Sequence, residues 1–502
     1  MQTGVVKGRI LMLSSFVCGA CVMVLELAGS RVVAPYMGTS LVVWTSLIGV
    51  VMLALTLGYW LGGIISDKYP SIELLSNIIG AAAVVTIVVG LVANPLLAAL
   101  SAGVRNVYAA SVIASAILFA VPGALLGMVS PFIVRLAMHS VASSGGTVGK
   151  FSAMSSAGSI TGTFLGGFVL ISFFSSQAII FMVAFALGVV AILLRGSSSK
   201  ASRTAMAVIA ITAAVLGGFS EVKPLFSKLD GLTFETHYNT IRIMERAARG
   251  TNLGVRILQT DPMGAQSLMY IDSPDDLYSD YTKFYDLAFH YKPDTKNVLM
   301  LGGGGYCVPR HITATRPHID VDVVELDPGI TQAARDYFNL TDRPGQRIFH
   351  EDARIFLNRE SAAGELKYDA VFGDVFGSSY SIPFHLTTVE CMRIIRSMLS
   401  DDGVFVVNII SSLDGELFSG IYSSIAAAFP TVMIYPATYP NSIGIRQNIM
   451  IVAIASEDVP YRTPENDYMA QLLMHRWTNR FEPGIAAFTD AFAPVEKYSL
   501  SL

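Results

Sequence analysis

The sequence predicts three consecutive parts: a multi-pass α-helical membrane domain over residues 1–222, a small antiparallel β subdomain over residues 230–290, and an α/β Rossmann-like domain over residues 291–502. The chain of 502 residues is 52% hydrophobic and 14% charged, whereas soluble domains average about 25% charged residues. The two parts of the chain have net charges of opposite sign, +7 over residues 1–220 and −11 over residues 221–502. Strand and helix patterns alternate only in the second part. These three observations indicate domains that face different solvents.

The excess of acidic residues in the second part bears on its partners. A negative surface repels nucleic acid and tolerates cationic small molecules. We therefore expect no nucleic-acid partner and consider a small-molecule amine as a partner instead. We also expect the chain to form a homo-oligomer.

Seven apolar runs predict the membrane domain. A helix needs about 20 apolar residues to span a bilayer, and the runs lie at about 10–34, 41–65, 74–98, 107–137, 148–172, 176–195 and 204–219. Basic residues fall mainly on one side of these runs, which places the N-terminus in the cytoplasm and indicates a multi-pass protein of the cell (inner) membrane. Seven full spans would put the acidic part outside the cytoplasm. The last run is the shortest. If it entered the bilayer without crossing it, the acidic part would be cytoplasmic, and we favour this location, although the number of spans stays open.

Glu26 is an acid in the middle of the first apolar run, and Arg31 follows it five residues later. An ionisable residue within a membrane span is a candidate for function. It can also form an ion pair or a hydrogen bond that fixes helix packing, and we slightly favour this second interpretation.

We expect no metal site. Cys18 and Cys21 form a CxxC pair inside the first apolar run, and no second pair completes a set of metal ligands. Cysteine is often buried as a small apolar side chain, which is the interpretation we adopt here.

The pattern of the chain changes after residue 230. Short runs such as "HYNTIRIME", "VRILQTD" and "QSLMYI" predict a small antiparallel sheet. Further along, strand patterns at 297–302, 321–327, 346–352, 368–375 and 403–410 are each followed by a helix pattern. Such alternation predicts a doubly wound, mostly parallel sheet with its ligand at the carboxyl ends of the strands.

A glycine loop follows the first of these strands. Gly302 and Gly304 belong to a run of four glycines, which permits a tight turn and a close approach of the ligand to the backbone. Glu325 ends the second strand about 20 residues later, where an acid accepts hydrogen bonds from ribose hydroxyls. This spacing is shared by NAD-binding folds and S-adenosylmethionine-binding folds.

Two further acids narrow the ligand class. Asp352, followed by Ala353, ends the third strand, where an adenine amino group would be recognised, and Asp374 ends the fourth. Each acid alone could be a helix N-cap. Three acids in register favour a neutral nucleoside attached to a cation, such as a sulfonium, because a pyrophosphate would require basic groups or helix N-termini. This ligand class predicts a Rossmann-like domain of the class I methyltransferase type.

The second part of the chain resembles the spermidine synthase (polyamine aminopropyltransferase) family, and the whole chain resembles those members that carry an N-terminal membrane domain. The matching stretches are "YNTIRI" (238–243), "YTKFYDLAF" (281–289), "VLMLGGGG" (298–305), "VVELDP" (323–328), "HEDAR" (350–354), "YDAVFGDVF" (368–376), "PFHLTTVECMR" (383–393) and "FTDAFAPVE" (488–496). The resemblance implies a transferase acting on the aminopropyl or aminocarboxypropyl chain of decarboxylated or intact S-adenosylmethionine, with methylthioadenosine as a product. Asp374 matches the acid that orients and deprotonates the attacking amine in that family.

The chain also departs from the family pattern. The family's GGGDG loop ends here in Gly305 and Tyr306, so the acid that holds the donor's ammonium group is missing, and Gly377 replaces the second acid of the DSSDP-type motif. These departures argue against ordinary spermidine synthesis.

Four further residues are expected to line the remaining substrate pocket: Asn239, Tyr306, Tyr380 and His385. The alternative is that the two tyrosines are core side chains and that His385 is a loop residue. Two other functions stay open. The first is a methyltransferase that uses the same site and releases S-adenosylhomocysteine. The second is a transporter or sensor whose soluble part only binds a nucleoside or a polyamine.

Overall fold

The chain divides into two compact units, Met1–Lys228 and Leu229–Leu502, here called the N-terminal unit and the C-terminal unit. The computed structural model describes residues 2–38, 40–104, 106–138, 144–195, 200–226, 232–236, 238–248, 253–260, 264–364, 367–375 and 382–500.

Long helices make up the described residues of the N-terminal unit. They are α1 (Gln2–Met37), α2 (Leu41–Lys68), α3 (Ile72–Gly103), α4 (Val107–Ala137), α5 (Ser144–Phe164), the short α6 (Ile171–Phe173), α7 (Ser176–Arg195) and α8 (Lys200–Phe226). A π-helical segment, Leu165–Leu170, joins α5 to α6. Seven helical segments in the described residues are long and apolar enough to cross a membrane. The prediction of seven long apolar helices is therefore confirmed.

Glycines bring pairs of these helices into close contact. A Cβ atom on Gly58 of α2 would collide with the carbonyl oxygen of Ala124 on α4, and one on Gly158 of α5 would collide with that of Phe16 on α1. Small residues at helix crossings allow such backbone contact, which is typical of helices packed in lipid. Glu26 is half-buried on α1 and has no hydrogen-bond or ion-pair partner among the described residues.

The C-terminal unit begins with a small antiparallel sheet. Its strands β1 (Leu232–Glu235), β2 (Thr240–Ala247), β3 (Gly254–Gln259) and β4 (Ser267–Tyr270) are paired in sequence order. A 3₁₀ helix, Asp280–Asp286, then leads into α9 (Leu287–Tyr291).

A seven-stranded sheet forms the core of the C-terminal unit. Its strands are β5 (Asn297–Leu301), β6 (Asp320–Val324), β7 (Gln346–Phe349), β8 (Tyr368–Gly373), β9 (Leu399–Ser411), β10 (Thr431–Pro436) and β11 (Gln447–Ile454). The helices of this part are α10 (Cys307–Thr315), α11 (Pro328–Tyr337), α12 (Ala353–Ala363), α13 (Val389–Met398), α14 (Glu416–Ala426), α15 (Asp467–Met474) and α16 (Val495–Leu500). Strands β5 to β9 pair in parallel and only β11 runs against its neighbours. The predicted mostly parallel, Rossmann-like sheet is confirmed.

The strand order places the candidate site. The order is β10-β11-β9-β8-β5-β6-β7, so the chain extends from β5 to one side through β6 and β7 and then crosses to β8 on the other side. Ligands of open α/β sheets bind at such a switch point, beyond the carboxyl ends of the strands. The loops after β5, β6 and β8 therefore define the candidate site.

Candidate active site

The glycine loop after β5 has the backbone conformation that its sequence predicts. Gly302 and Gly304 have φ angles of +90° and +51°, which lie in the left-handed region that glycine adopts without strain. A Cβ atom on Gly302 would approach the carbonyl oxygen of Asp374 to 2.8 Å. The backbone N–H of Asp374 donates to the carbonyl of Leu301 at 2.9 Å. The glycines therefore let the ends of β5 and β8 lie side by side.

Tyr306 ends this loop and lies in the hydrophobic core. Its side chain is completely buried, and its hydroxyl is 2.7 Å from the Thr331 hydroxyl on α11. Its φ angle of +54° is also left-handed, and the ring lies beneath Gly303, where it would collide with any Cβ atom. The structure thus places Tyr306 under the loop as a core residue, and Tyr306 does not line the cavity that contains Asp374.

Glu325 follows β6 and holds the glycine loop from the other side. Its Oε2 accepts hydrogen bonds from the backbone N–H groups of Gly303 and Gly304 at 2.8 and 3.3 Å. Its Oε1 accepts one from the N–H of Asp327 at 2.9 Å. Burial raises the pKa of Glu325, and these three hydrogen bonds oppose that rise. A carboxylate has about four acceptor positions, so the backbone occupies most of those on Glu325 and leaves about one for another donor.

Asp352 serves as a helix cap and also contacts His385. Its Oδ1 accepts hydrogen bonds from the N–H groups of Arg354 and Ile355 at the start of α12, where Ala353 is the first residue. Its Oδ2 lies 3.1 Å from Nε2 of His385. The structure therefore brings Asp352 and His385 together, and both are only partly buried.

Asn239 belongs to a different cluster. Its Nδ2 donates to Oδ2 of Asp327 at 2.9 Å, while Oδ1 of Asp327 caps α11 through the N–H of Gly329. Asn239 is therefore a partner of a buried capping residue beside Glu325. Tyr380 lies outside the described residues.

Asp374 follows β8 and lines a small cavity that is open to solvent. Its Oδ2 accepts a hydrogen bond from the hydroxyl of Tyr281 at 3.1 Å, and its Oδ1 accepts one from Nδ2 of Asn408 at 3.0 Å. The cavity is lined by Ser267, Leu268, Ser279, Tyr281, Thr282, Met300, Gly303, Cys307, Val308, Pro309 and Asp374. Hydroxyl groups and apolar side chains thus surround a single carboxylate among the described lining residues.

The cavity favours a positive charge. Burial raises the pKa of Asp374 to about 6, although the hydrogen bonds from Asn408 and Tyr281 lower it. Within the described ranges, no basic side chain forms an ion pair with Asp374. Burial and the nearby Asp374 also raise the pKa of the Tyr281 phenol, so this group remains a hydrogen-bond donor. A carboxylate held in this way can bind a cation or accept a proton near neutral pH.

Comparisons with known proteins show what the C-terminal part of the chain is similar to. Residues 282–462 match the model of the spermine/spermidine synthase domain. The chain is 30% identical over 184 residues to a polyamine aminopropyltransferase of Vibrio vulnificus (strain CMCP6), a match that covers 36% of this chain and 59% of the relative. The C-terminal part of the chain carries a spermine/spermidine synthase domain. The resemblance that the sequence motifs indicate is therefore confirmed for this part.

Other relatives of the spermine/spermidine synthase domain include methyltransferases. The chain is 30% identical over 188 residues to an N-terminal histidine N-methyltransferase of Emericella nidulans, a match that covers 36% of this chain and 32% of the relative. A solved structure of a probable spermidine synthase from Corynebacterium glutamicum ATCC 13032 is 20% identical, covers 53% of this chain and 99% of that chain, and has a TM-score of 0.44. Of the two curated relatives, the chain spans only 59% and 32% of their length.

Three residues of the candidate site were not among the sequence candidates. Tyr281 comes from the 3₁₀ helix before β5, Asn408 from near the carboxyl end of β9, and Ser267 from β4 of the small sheet. Only Tyr281 carried a signal, since it begins the stretch "YTKFYDLAF" that resembles the family. Ser267 and Asn408 reach the site through tertiary pairing, which a single sequence does not reveal.

The structure also explains the glycine at position 305. A Cβ atom there would lie 2.8 Å from Cβ of Ser267 and 2.9 Å from Cδ1 of Phe338. Ser267 further accepts a hydrogen bond from the N–H of Gly305 at 2.8 Å. The space that an acidic side chain would need at this loop position is therefore filled by Ser267 and Phe338.

Proposed function

We propose that the C-terminal unit is a transferase that acts on the aminopropyl or aminocarboxypropyl chain of a sulfonium nucleoside and releases methylthioadenosine. The observation that carries this proposal is Asp374, a carboxylate that lines a cavity beside the glycine loop and has no cationic partner in the described part of the chain. Such a group suits a ligand that brings its own positive charge, because burying an unpaired carboxylate is costly.

The reaction needs a base and an aligned nucleophile. A sulfonium donor would supply an alkyl carbon activated by the positive sulfur, so that a C–N bond forms as the C–S bond breaks and the electron pair stays on sulfur. Asp374 would attract the ammonium form of the amine, orient it and accept its proton. Tyr281 and Asn408 hold the carboxylate in place, and alignment of the reactants contributes much of the rate.

The donor can be intact or decarboxylated S-adenosylmethionine. Ser267 and Phe338 fill the space beside Gly305, so no acid at that position holds the donor's ammonium group or repels a donor carboxylate. The proposal therefore includes a donor that retains its carboxylate. The alkyl chain of the donor would be transferred to an acceptor amine or would cyclise. We propose no metal for this reaction.

Product analysis tests the proposal. Purified protein is incubated with S-adenosylmethionine and, separately, with its decarboxylated form, with and without amines, and the products are analysed by mass spectrometry. Methylthioadenosine from the wild type, its loss in Asp374→Asn and its retention in the exposed control Asp401→Asn would support the proposal. No methylthioadenosine from either donor would refute it.

A methyltransferase is the second candidate, because the methyltransferase of Emericella nidulans matches the chain at the same level of identity as the aminopropyltransferase. In the same assay it would release S-adenosylhomocysteine. A transporter or sensor would bind the nucleoside or a polyamine without forming either product.

We propose further that the N-terminal unit inserts into the cell (inner) membrane and that the C-terminal unit faces the cytoplasm. The seven long apolar helices support insertion. A cytoplasmic C-terminal unit requires that the last of them, Arg203–Ser220, does not cross the bilayer, and such a site would have access to soluble donor and amine. The lipid bilayer would be the main partner of the protein. A second copy of the chain would be another partner, and we propose no nucleic-acid partner. Resistance of the protein to alkaline extraction of membranes, and protease accessibility of the C-terminal unit in inverted vesicles, would test these points.

A further inference from the structure

A chain of side-chain amides crosses three adjacent strands and ends at Asp374. Nδ2 of Asn448 on β11 donates to Oδ1 of Asn408 on β9 at 2.9 Å. Nδ2 of Asn408 in turn donates to Oδ1 of Asp374 at 3.0 Å. The three strands are neighbours in the order β11-β9-β8, so the sheet itself fixes the spacing of these three side chains.

The direction of the Asn408 amide follows from its two partners. An asparagine amide presents an acceptor on one side and a donor on the other. Because Asn448 donates to the Asn408 oxygen, the Asn408 NH₂ group faces Asp374. A flipped Asn408 would direct its oxygen at a carboxylate and leave the NH₂ of Asn448 facing another NH₂. Asn448 thus holds Asn408 in the orientation that stabilises the charged form of Asp374.

The two oxygens of Asp374 have different surroundings. Oδ1 is anchored by Asn408, which is 1% exposed and does not line the cavity. Oδ2 is bound by Tyr281, which does line it. Among the described residues, the other titratable groups that face Asp374 from the packed elements are Tyr285 and Cys307, and burial raises the pKa of each further above its ordinary value.

We propose that Asn408, oriented by Asn448, is a positioning residue that anchors Oδ1 of Asp374 away from the cavity and so presents Oδ2, which the Tyr281 hydroxyl holds, to the substrate amine. This inference rests on the proposed function and deepens it. The amine's proton is transferred to Oδ2, while the Asn408 hydrogen bond keeps the carboxylate ionised before that transfer. A merely structural asparagine would hold the sheet together without changing the protonation of Asp374.

The pH dependence separates these two roles. Asn408→Ala removes a hydrogen bond to the charged carboxylate, so the pKa of Asp374 rises further. We expect the acid limb of the rate profile to move to higher pH by roughly one unit, which corresponds to about a tenfold loss on that limb and little loss well above it. Asn448→Ala should give a smaller shift in the same direction. Asn297→Ala, an exposed asparagine at the opposite end of the sheet, should give none.

A readout that needs no turnover keeps the inference separate from the proposed function. The protonated carboxyl band of Asp374 in the infrared spectrum, identified by its loss in Asp374→Asn, is titrated in the full chain with each variant. An upward shift of its midpoint in Asn408→Ala and Asn448→Ala supports the inference, even if the wild type forms no methylthioadenosine and the proposed function fails. Midpoints equal to the wild type in folded variants would overturn it. If Asn408→Ala does not fold, the half-buried Asn448 carries the test alone.

Discussion

Glu325, which is buried, and Asp374, which is half-buried, are acids that follow the strands on either side of β5, yet they are held in opposite ways. Glu325 is bound by three backbone N–H groups of the glycine loop and the β6–α11 turn. Asp374 is bound by two side chains, Tyr281 and Asn408. Backbone donors move only when a loop moves, whereas side-chain donors can be exchanged for a ligand. We therefore propose that Glu325 shapes the site and that Asp374 is the acid that takes part in the chemistry.

The largest effect should come from Asp374→Asn, which tests the chemical half of this comparison. The amide keeps the size of the side chain but cannot accept a proton. We expect product formation to fall by roughly 10²–10⁴-fold, the usual contribution of a general base, while nucleoside affinity changes little. Initial rates and calorimetric titration with methylthioadenosine measure the two quantities. Asp401→Asn is the control, and an active Asp374→Asn variant would remove Asp374 as the base.

The same variant should reveal the cost of keeping Asp374 buried. Its pKa in the folded protein is raised to about 6 from 3.8, so the folded state binds a proton more tightly than the unfolded state. The contribution of Asp374 to stability is therefore highest below pH 4, declines as pH rises to about 6 and is constant above. The total change is roughly 3 kcal/mol. The measurement is the unfolding free energy of the wild type relative to Asp374→Asn between pH 4 and 7, and a constant difference would contradict the raised pKa.

Glu325→Ala tests the structural half of the comparison and should act on binding. It leaves three backbone N–H groups without their acceptor, and each buried unpaired donor costs about 1–3 kcal/mol unless water replaces it. We expect the loop to loosen and nucleoside affinity to fall by roughly tenfold to a hundredfold. Calorimetry with methylthioadenosine measures this change. The exposed Glu482→Ala is the control, and unchanged affinity would mean that Glu325 shapes neither the loop nor the ribose contact.

The same comparison shows what the sequence could predict. The strand–helix alternation placed Gly302, Glu325, Asp352 and Asp374 at strand ends, because each depends only on local pattern and spacing. The donors to Asp374 come from β9 and from the 3₁₀ helix before β5, and their meeting is a consequence of strand order that a single sequence does not contain. The sequence left Tyr306 open between a pocket residue and a core aromatic. In the structure its ring lies in the core, and its φ angle is left-handed, which is unusual for a residue with a side chain.

The smallest effect should come from Tyr281→Phe, which removes the second side-chain donor of Asp374 and leaves the ring in place. The hydrogen bond from Tyr281 lowers the pKa of Asp374 less than the hydrogen bond from Asn408 does. We therefore expect the acid limb of the rate profile to move up by less than in Asn408→Ala, with a loss of about threefold near pH 6 and less at pH 8. Tyr278→Phe, a nearby half-buried tyrosine that packs on Tyr270, is the control. A uniform loss at every pH would instead mean that the Tyr281 hydroxyl contacts the substrate directly, and the two donors to Asp374 would then have separate tasks.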